Sequence, residues 1–291
     1  MTGTPLDLTP FGSILQGIGL LYWLIVIAAL AIVLIKFKSW STRTISAAVV
    51  LAIMVGPVAL HGWKRYQQQQ QFKARLDAAM ARFEMRCKSA REKIYKTVDG
   101  VDGILLLNVR PEAKPSDRSD PNWPDAALPD ESQGDWYLRT FLFWEQHDDK
   151  RAPRGYLNEK RSELPGYEFV DVKDADGQIY RFRLVGPNNI DLSREIVTEK
   201  PARYAVSYVN FIDPEDRRYW IAGTKVLITD TFVNEIIAEK TWFSIEPGQG
   251  NAAGFRSPWG FAHTCPTLNG RKERYPTRFF VDQVLNPKKG K

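Results

Sequence analysis

The chain has 291 residues, 44% hydrophobic and 12% aromatic, which is material for a substantial core and one or two domains. Its net charge is +6, and Lys36, Lys38 and Arg43 against Asp7 account for all the charge of residues 1–63, leaving +4 on the remainder. That near-balance argues against a nucleic-acid binder, which concentrates its basic residues on one face or helix, and two cysteines are too few for a four-cysteine zinc site or a disulfide-dense scaffold.

The N-terminus holds the most apolar sequence. No charged residue occurs between Leu8 and Ile35, and "ILQGIGLLYWLIVIAALAIVLI" (Ile14–Ile35) meets the roughly 20-residue length of a membrane span. A second uncharged run, Thr44–Trp63, contains "ISAAVVLAIMVGPVAL"; its Gly56-Pro57 pair is tolerated in a membrane helix, and Trp40 and Trp63 flank it as interfacial aromatics would. Neither run reads as a cleaved signal peptide: the first lacks a basic leading segment and the second a small-x-small cleavage site. The expectation is a two-helix transmembrane hairpin over residues 1–63. The connecting "KFKSWSTR" carries three basic residues and no acid, which places it in the cytoplasm and both termini outside. Lys64, Arg65, Lys73 and Arg75 pull the other way, but large domains cross largely regardless of charge.

Residues 64–97 read as a membrane-proximal amphipathic helix. Phe72, Leu76, Met80, Phe83, Cys87, Ala90 and Ile94 recur every three or four positions, and Asp99-Gly100 stops the pattern. Residues 98–291 then form an α+β domain. "ILLLNV" (104–109) reads as a buried strand, residues 111–135 as a Pro/Asp/Ser-rich loop, and "YLRTFLFW" (137–144) as helix or strand. "YEFVDV" and "IYRFRLV" flank Asp174-Ala175-Asp176-Gly177, a hairpin signature. "RYAVSYVNF" alternates, "KVLITDTFVNEIIAEKTWFSI" reads as two strands turning around residues 232–234, and "TRFFVDQVL" as a terminal helix. Strands in this order predict a mainly antiparallel sheet with a C-terminal helix.

"EPGQGNAAGFRSPWGFAHTCP" (Glu246–Pro266) holds the sequence's most suggestive pattern, G-x-G-x-x-x-G over residues 248–254. A dinucleotide fingerprint needs a helix opening on its last glycine. Here Pro258 and Gly260 follow, and only 37 residues remain, so an irregular surface loop is the better reading. His263 and Cys265 supply two metal ligands where a structural zinc needs four. No metal, cofactor or small-molecule substrate is expected. Nor is a catalytic residue: there is no G-x-S-x-G or H-E-x-x-H, and the acid-base clusters His147-Asp148-Asp149 and Glu215-Asp216 lie in charged, turn-like stretches.

Cys87 and Cys265 are the only cysteines. They are either two unrelated buried thiols or a bridge tying the membrane-proximal helix to the last segment. A bridge suits an oxidising compartment and so agrees with the outside topology.

Three stretches, "RCKSAREKIYKTVDGVDGILLL" (86–107), "EDRRYWIAGTKVLITDTFVNEIIAEK" (215–240) and "PGQGNAAGFRSPW" with "CP" (247–259, 265–266), resemble a family of proteobacterial envelope proteins over most of residues 86–285. That family is associated with genes for type VI secretion effectors, including antibacterial phospholipases. The resemblance implies an immunity protein that neutralises an effector in the periplasm; together with the two apolar spans, the expectation is an anchor in the bacterial inner membrane with residues 64–291 in the periplasm. It implies no catalytic residues, and it makes Cys87 and Cys265 the family's paired cysteines. Arg256 and Trp259 are candidate partner-binding anchors, since Arg and Trp dominate interface energetics; the alternative is that Trp259 packs on the core and Arg256 caps it. A structural or assembly factor of the envelope is the alternative function.

Overall fold

The computed structural model describes residues 10–142, 166–185, 191–268 and 275–288. The chain forms two compact units, Met1–Ala74 and Arg75–Lys291.

In the first unit, α1 (Pro10–Lys36) is followed after residues 37–39 by α2 (Trp40–Ser89), which begins here and carries Pro57 in its interior. Leu20, Leu24, Ile27 and Leu34 of α1 and Ile45, Ile53 and Leu60 of α2 are all exposed. Both helices are long and apolar enough to cross a membrane. The Tyr22 hydroxyl donates to the Met54 carbonyl. Proline removes a backbone donor from its helix, so the ladder is already interrupted beside the acceptor that Tyr22 uses.

The second unit opens with the last turns of α2, then β1 (Glu92–Ile94), β2 (Val98–Val101) and β3 (Gly103–Leu106). The helix expected over 64–97 is therefore the latter part of α2 and ends at Ser89. Ile94, which completes the helical spacing, instead pairs with Ala238 across two strands. The Pro/Asp/Ser-rich stretch contains two 3-10 turns (Asp117–Ser119 and Pro124–Ala127), and α3 (Gly134–Leu142) resolves the helix-or-strand ambiguity as helix. There follow β4 (Phe169–Lys173), β5 (Ile179–Val185), β6 (Asp191–Ile196), β7 (Tyr204–Phe211), α4 (Pro214–Arg218), β8 (Ile221–Asp230), β9 (Glu235–Ile245), β10 (His263–Cys265), α5 (Pro276–Val284) and β11 (Leu285–Pro287).

The main sheet runs β1-β9-β8-β7-β3-β4-β5-β6, with β10 also on β9, and β2 pairs with β11 apart from it. The fold is α+β with a mixed, mostly antiparallel sheet: β3 runs parallel to both β4 and β7, while the β4–β5 and β8–β9 hairpins are antiparallel. Alternate residues of the central strands, Ile104, Leu106, Val170, Val206, Val226, Ile228 and Trp242, face Tyr137 and Phe141 of α3 and Phe280, Val281 and Val284 of α5. On a smaller second core, Ala79 and Phe83 of α2 pack with Ile221, Phe243 and Ile245. Arg86 Nη2 reaches Asp213 at 2.6 Å and Asp216 at 2.8 Å, and Arg82 adds Asp213 at 3.5 Å, so charge fixes the same helix face beside α4.

The long edge of β9 is divided between two short strands. β1 pairs with Ala238–Lys240 and β10 with Phe243–Ile245. This brings Cys265 beside α2, where it bridges Cys87 with a Cα–Cα separation of 5.8 Å. The two cysteines are a disulfide and not separate thiols.

Candidate functional site

The segment that turns back from β9 to β10 is built around one carboxylate. The last five residues of β9, Thr241–Ile245, are all buried, and the strand delivers Glu246, also fully buried. Burying a lone carboxylate is costly, and the next ten residues supply the compensation. Gly248 N donates to Glu246 Oε1 at 2.6 Å, Gly250 N donates to Oε2 at 2.7 Å, and the Arg256 guanidinium closes on Oε1. The glycine-rich pattern is thus an anion nest filled by the chain's own side chain. Its Gly248 and Gly250 amides are spent on Glu246.

The glycines answer to packing as well. Gly250 has φ +84°, and a Cβ there would stand 2.4 Å from the Trp220 indole. At Gly248 a Cβ would meet the Arg256 guanidinium at 2.7 Å and Glu246 Oε1 at 2.8 Å. Gln249, between them, donates from its side chain to the carbonyls of Tyr219 (2.9 Å) and Glu246 (3.1 Å). Gln249 and Gly250 tie the turn to the α4–β8 connection.

Of the two sequence-predicted anchors, Trp259 is fully buried. It stacks on Trp220 with ring centroids 5.3 Å apart and donates its indole N–H to the Asp120 carbonyl at 2.7 Å. Arg256 is held by Glu246 and by the Asn251 carbonyl (3.0 Å), with its guanidinium 4.5 Å from the Phe261 ring. The alternative expectation, a packed Trp and a capping Arg, describes both. The exposed aromatics are Phe255, fully open to solvent, and Phe261, about half so. Sequence reasoning passed over both; the available signal was a phenylalanine directly after a glycine in an otherwise small, uncharged stretch, Asn251–Gly254.

Beneath this segment lies a closed charged layer. Arg217 is buried, its guanidinium 5.8 Å from the Trp259 ring and facing the Pro121 and Pro124 carbonyls at 3.3 and 3.4 Å; burial lowers its pKa to about 10. Arg110 and Asp125 form a buried pair at 2.6 Å, with Asn210 donating to the same carboxylate at 3.0 Å. Glu131 accepts from Thr277 N (2.9 Å) and Ser132 N (3.1 Å), yet burial holds its pKa above the usual carboxylate range. These groups join the 111–135 stretch, which sequence alone reads as loop, to the sheet and α5.

The acid-base candidates are dispersed. Glu215 is exposed and pairs with Arg218, whereas Asp216 is buried against Arg82 and Arg86. His263 is exposed on β10, and His147-Asp148-Asp149 lies outside the described residues. Among the described residues no three His, Cys, Asp or Glu side chains are grouped as metal ligands would be. What the 246–265 segment offers solvent is an apolar tip on a braced turn, stapled at its far end by Cys265. No family model, curated protein or solved structure matches the chain.

Proposed function

We propose that the chain is a binding protein of the bacterial inner membrane, anchored by a two-helix hairpin, with residues 64–291 in the periplasm. In this reading it is an immunity protein that neutralises a secreted antibacterial effector of the type VI class. The observation that carries the reading is the Cys87–Cys265 disulfide on a chain with two membrane-length apolar helices, because disulfides persist in oxidising compartments. The three basic residues of the 36–43 segment favour a cytoplasmic turn between the helices. The Tyr22–Met54 hydrogen bond supports the hairpin: the two residues stand at similar distances from the 37–39 turn, and a phenol inside a bilayer needs such a partner.

Action by binding and not by catalysis is favoured by how the charged groups are used. Glu246, Asp125, Asp171 and Asp230 are each buried and each occupied by an arginine. The class of effector rests on the family resemblance of residues 86–107, 215–240, 247–259 and 265–266. Producing the chain together with the product of the neighbouring effector gene, exported to the periplasm, tests the reading: the chain protects the cell and co-purifies with the effector. Failure of both removes the immunity role. Protection that is lost when both helices are exchanged for an unrelated anchor would favour the envelope assembly factor instead.

A further inference from the structure

We infer that Phe255 is the anchor of a protein-docking surface that fits an uncharged, apolar pocket on the partner; the inference rests on the binding reading above. Two independent features of the backbone and the surface meet at this residue. Phe255 is fully exposed, and its φ is +62°. Left-handed backbone is a genuine outlier for a bulky residue, whereas glycine or asparagine adopts it readily. A stability-driven sequence has no reason to put a phenyl ring there and then leave it in water. Strain retained at an exposed apolar side chain is the pattern of a functional position.

The surroundings hold that ring out. Asn251 Oδ1 accepts from Ala253 N at 2.9 Å, the Asn251 carbonyl accepts from Arg256 at 3.0 Å, and Arg256 is itself clamped on the buried Glu246. Gly254, at φ +69°, makes the reversal immediately before Phe255. The tip is therefore ordered before any partner arrives, which lowers the entropy lost on binding. Phe261, under the Arg256 guanidinium, extends the apolar surface.

Charge decides between a protein pocket and a bilayer. Asn251–Phe255 carries no charge. The arginine next in sequence, Arg256, is occupied by Glu246. Loops that dip into lipid pair their apolar residues with cations for the phosphate headgroups, and Arg256 is held away from that role by the buried carboxylate. A neutral aromatic knob on a braced turn matches the buried aromatic anchor of a protein interface. Phe232, at the β8–β9 turn, provides the contrast: it too is exposed, but Arg203 and Lys200 lie 5.1 and 5.8 Å from its ring and its φ is not positive.

The test uses the full chain in detergent micelles and, as probe, the purified effector encoded beside its gene. Phe255→Ala is expected to weaken binding at least about 30-fold and Phe232→Ala less than about threefold. Affinity should change by less than about threefold between 50 and 300 mM salt, because no charge pair forms at the anchor. Phe255→Gly, which suits the left-handed backbone, should lose binding while melting no lower than wild type. A lower melting temperature for that variant would make Phe255 a structural residue and overturn the inference. Unchanged affinity in both variants would overturn it while leaving the immunity reading intact. If wild type does not bind the effector, a benzophenone side chain at position 255 in intact cells decides. A cross-link to lipid, or none, overturns the inference. A cross-link to another protein, whose purified form then binds wild type but not Phe255→Ala, sustains it and ends the immunity reading.

Discussion

Replacing Glu246 by alanine tests whether the glycine-rich turn is organised by the chain's own carboxylate. In the native structure that carboxylate accepts from two backbone amides at 2.6 and 2.7 Å and pairs with Arg256. Truncation leaves two amides without their acceptor and Arg256 without its counter-charge. Breaking a fully buried pair costs about 3–5 kcal/mol, but the Arg256 side chain is 22% exposed and can partly rehydrate, so about 3 kcal/mol is the working figure. For a unit the size of Arg75–Lys291 this is a fall in melting temperature of about 6–12 °C. Thermal unfolding of the full chain, followed by circular dichroism, measures it. Glu246→Gln, which keeps one carbonyl acceptor, should cost about half as much. The double substitution with Arg256→Ala should be less destabilising than the sum of the singles by at least about 1 kcal/mol. A Glu246→Ala protein melting within about 2 °C of wild type, or strict additivity in the cycle, would refute the argument that this carboxylate fills the nest.

Trp259→Ala should cost about 3–5 kcal/mol, as for other fully buried aromatics, and Trp259→Phe about 1–2 kcal/mol through the lost bond to the Asp120 carbonyl; denaturant melts with losses under 1 kcal/mol for both would return Trp259 to the list of surface anchors. Asp282 supplies a pH dependence. Burial raises its pKa from 3.8 to about 6, outweighing the opposing pull of Arg278 2.9 Å away. A carboxyl whose folded pKa is raised binds its proton more tightly in the folded state, so its stabilisation is full below about pH 4 and is lost as pH rises through 6. Relative to Asp282→Asn, wild type should therefore be about 2 kcal/mol more stable at pH 4 than at pH 7, and a constant difference across that range would contradict the assignment. Asp213, Asp230 and Glu239, held below their usual values by backbone amides, Arg203 and Lys225 respectively, lose stability in the opposite direction, so the comparison with the variant and not the raw profile is the test.

Local chemistry made much of the fold readable. The Asp174–Gly177 turn, the alternation of β7, the β8–β9 hairpin and the C-terminal helix each follow from residues close in sequence. What sequence did not show is non-local. The parallel placement of β3 between β4 and β7 leaves no pattern in β3 itself, whose four residues are simply all buried. The helical spacing through Ala90 and Ile94 was accidental, because pairing with β9 outweighs a weak periodic preference at a helix end. The 111–135 stretch read as a loop because it is rich in Pro, Asp and Ser. Its Asp125 is polar for a buried partner, Arg110, fifteen residues back. At the candidate site, the glycines were legible and their ligand was not: Glu246 reads as an ordinary surface acid until its burial is known. Phe255 escaped notice since exposure and backbone sign are invisible in a string of letters, whereas Trp259 attracted notice by residue type alone.

Topology conditions the whole account, and one experiment addresses it. Alkaline phosphatase, which is active only where its own disulfides form, is fused after Leu285 and, separately, at Ser41; a membrane-impermeant thiol probe is applied to cells making the unfused chain, before and after reductant. The account predicts an active fusion after Leu285, an inactive one at Ser41, and labelling of Cys87 and Cys265 only once reductant has opened their bridge. An inactive Leu285 fusion, together with thiols that are free without reductant once the cells are opened, would place residues 64–291 in the cytoplasm and contradict the periplasmic binding role.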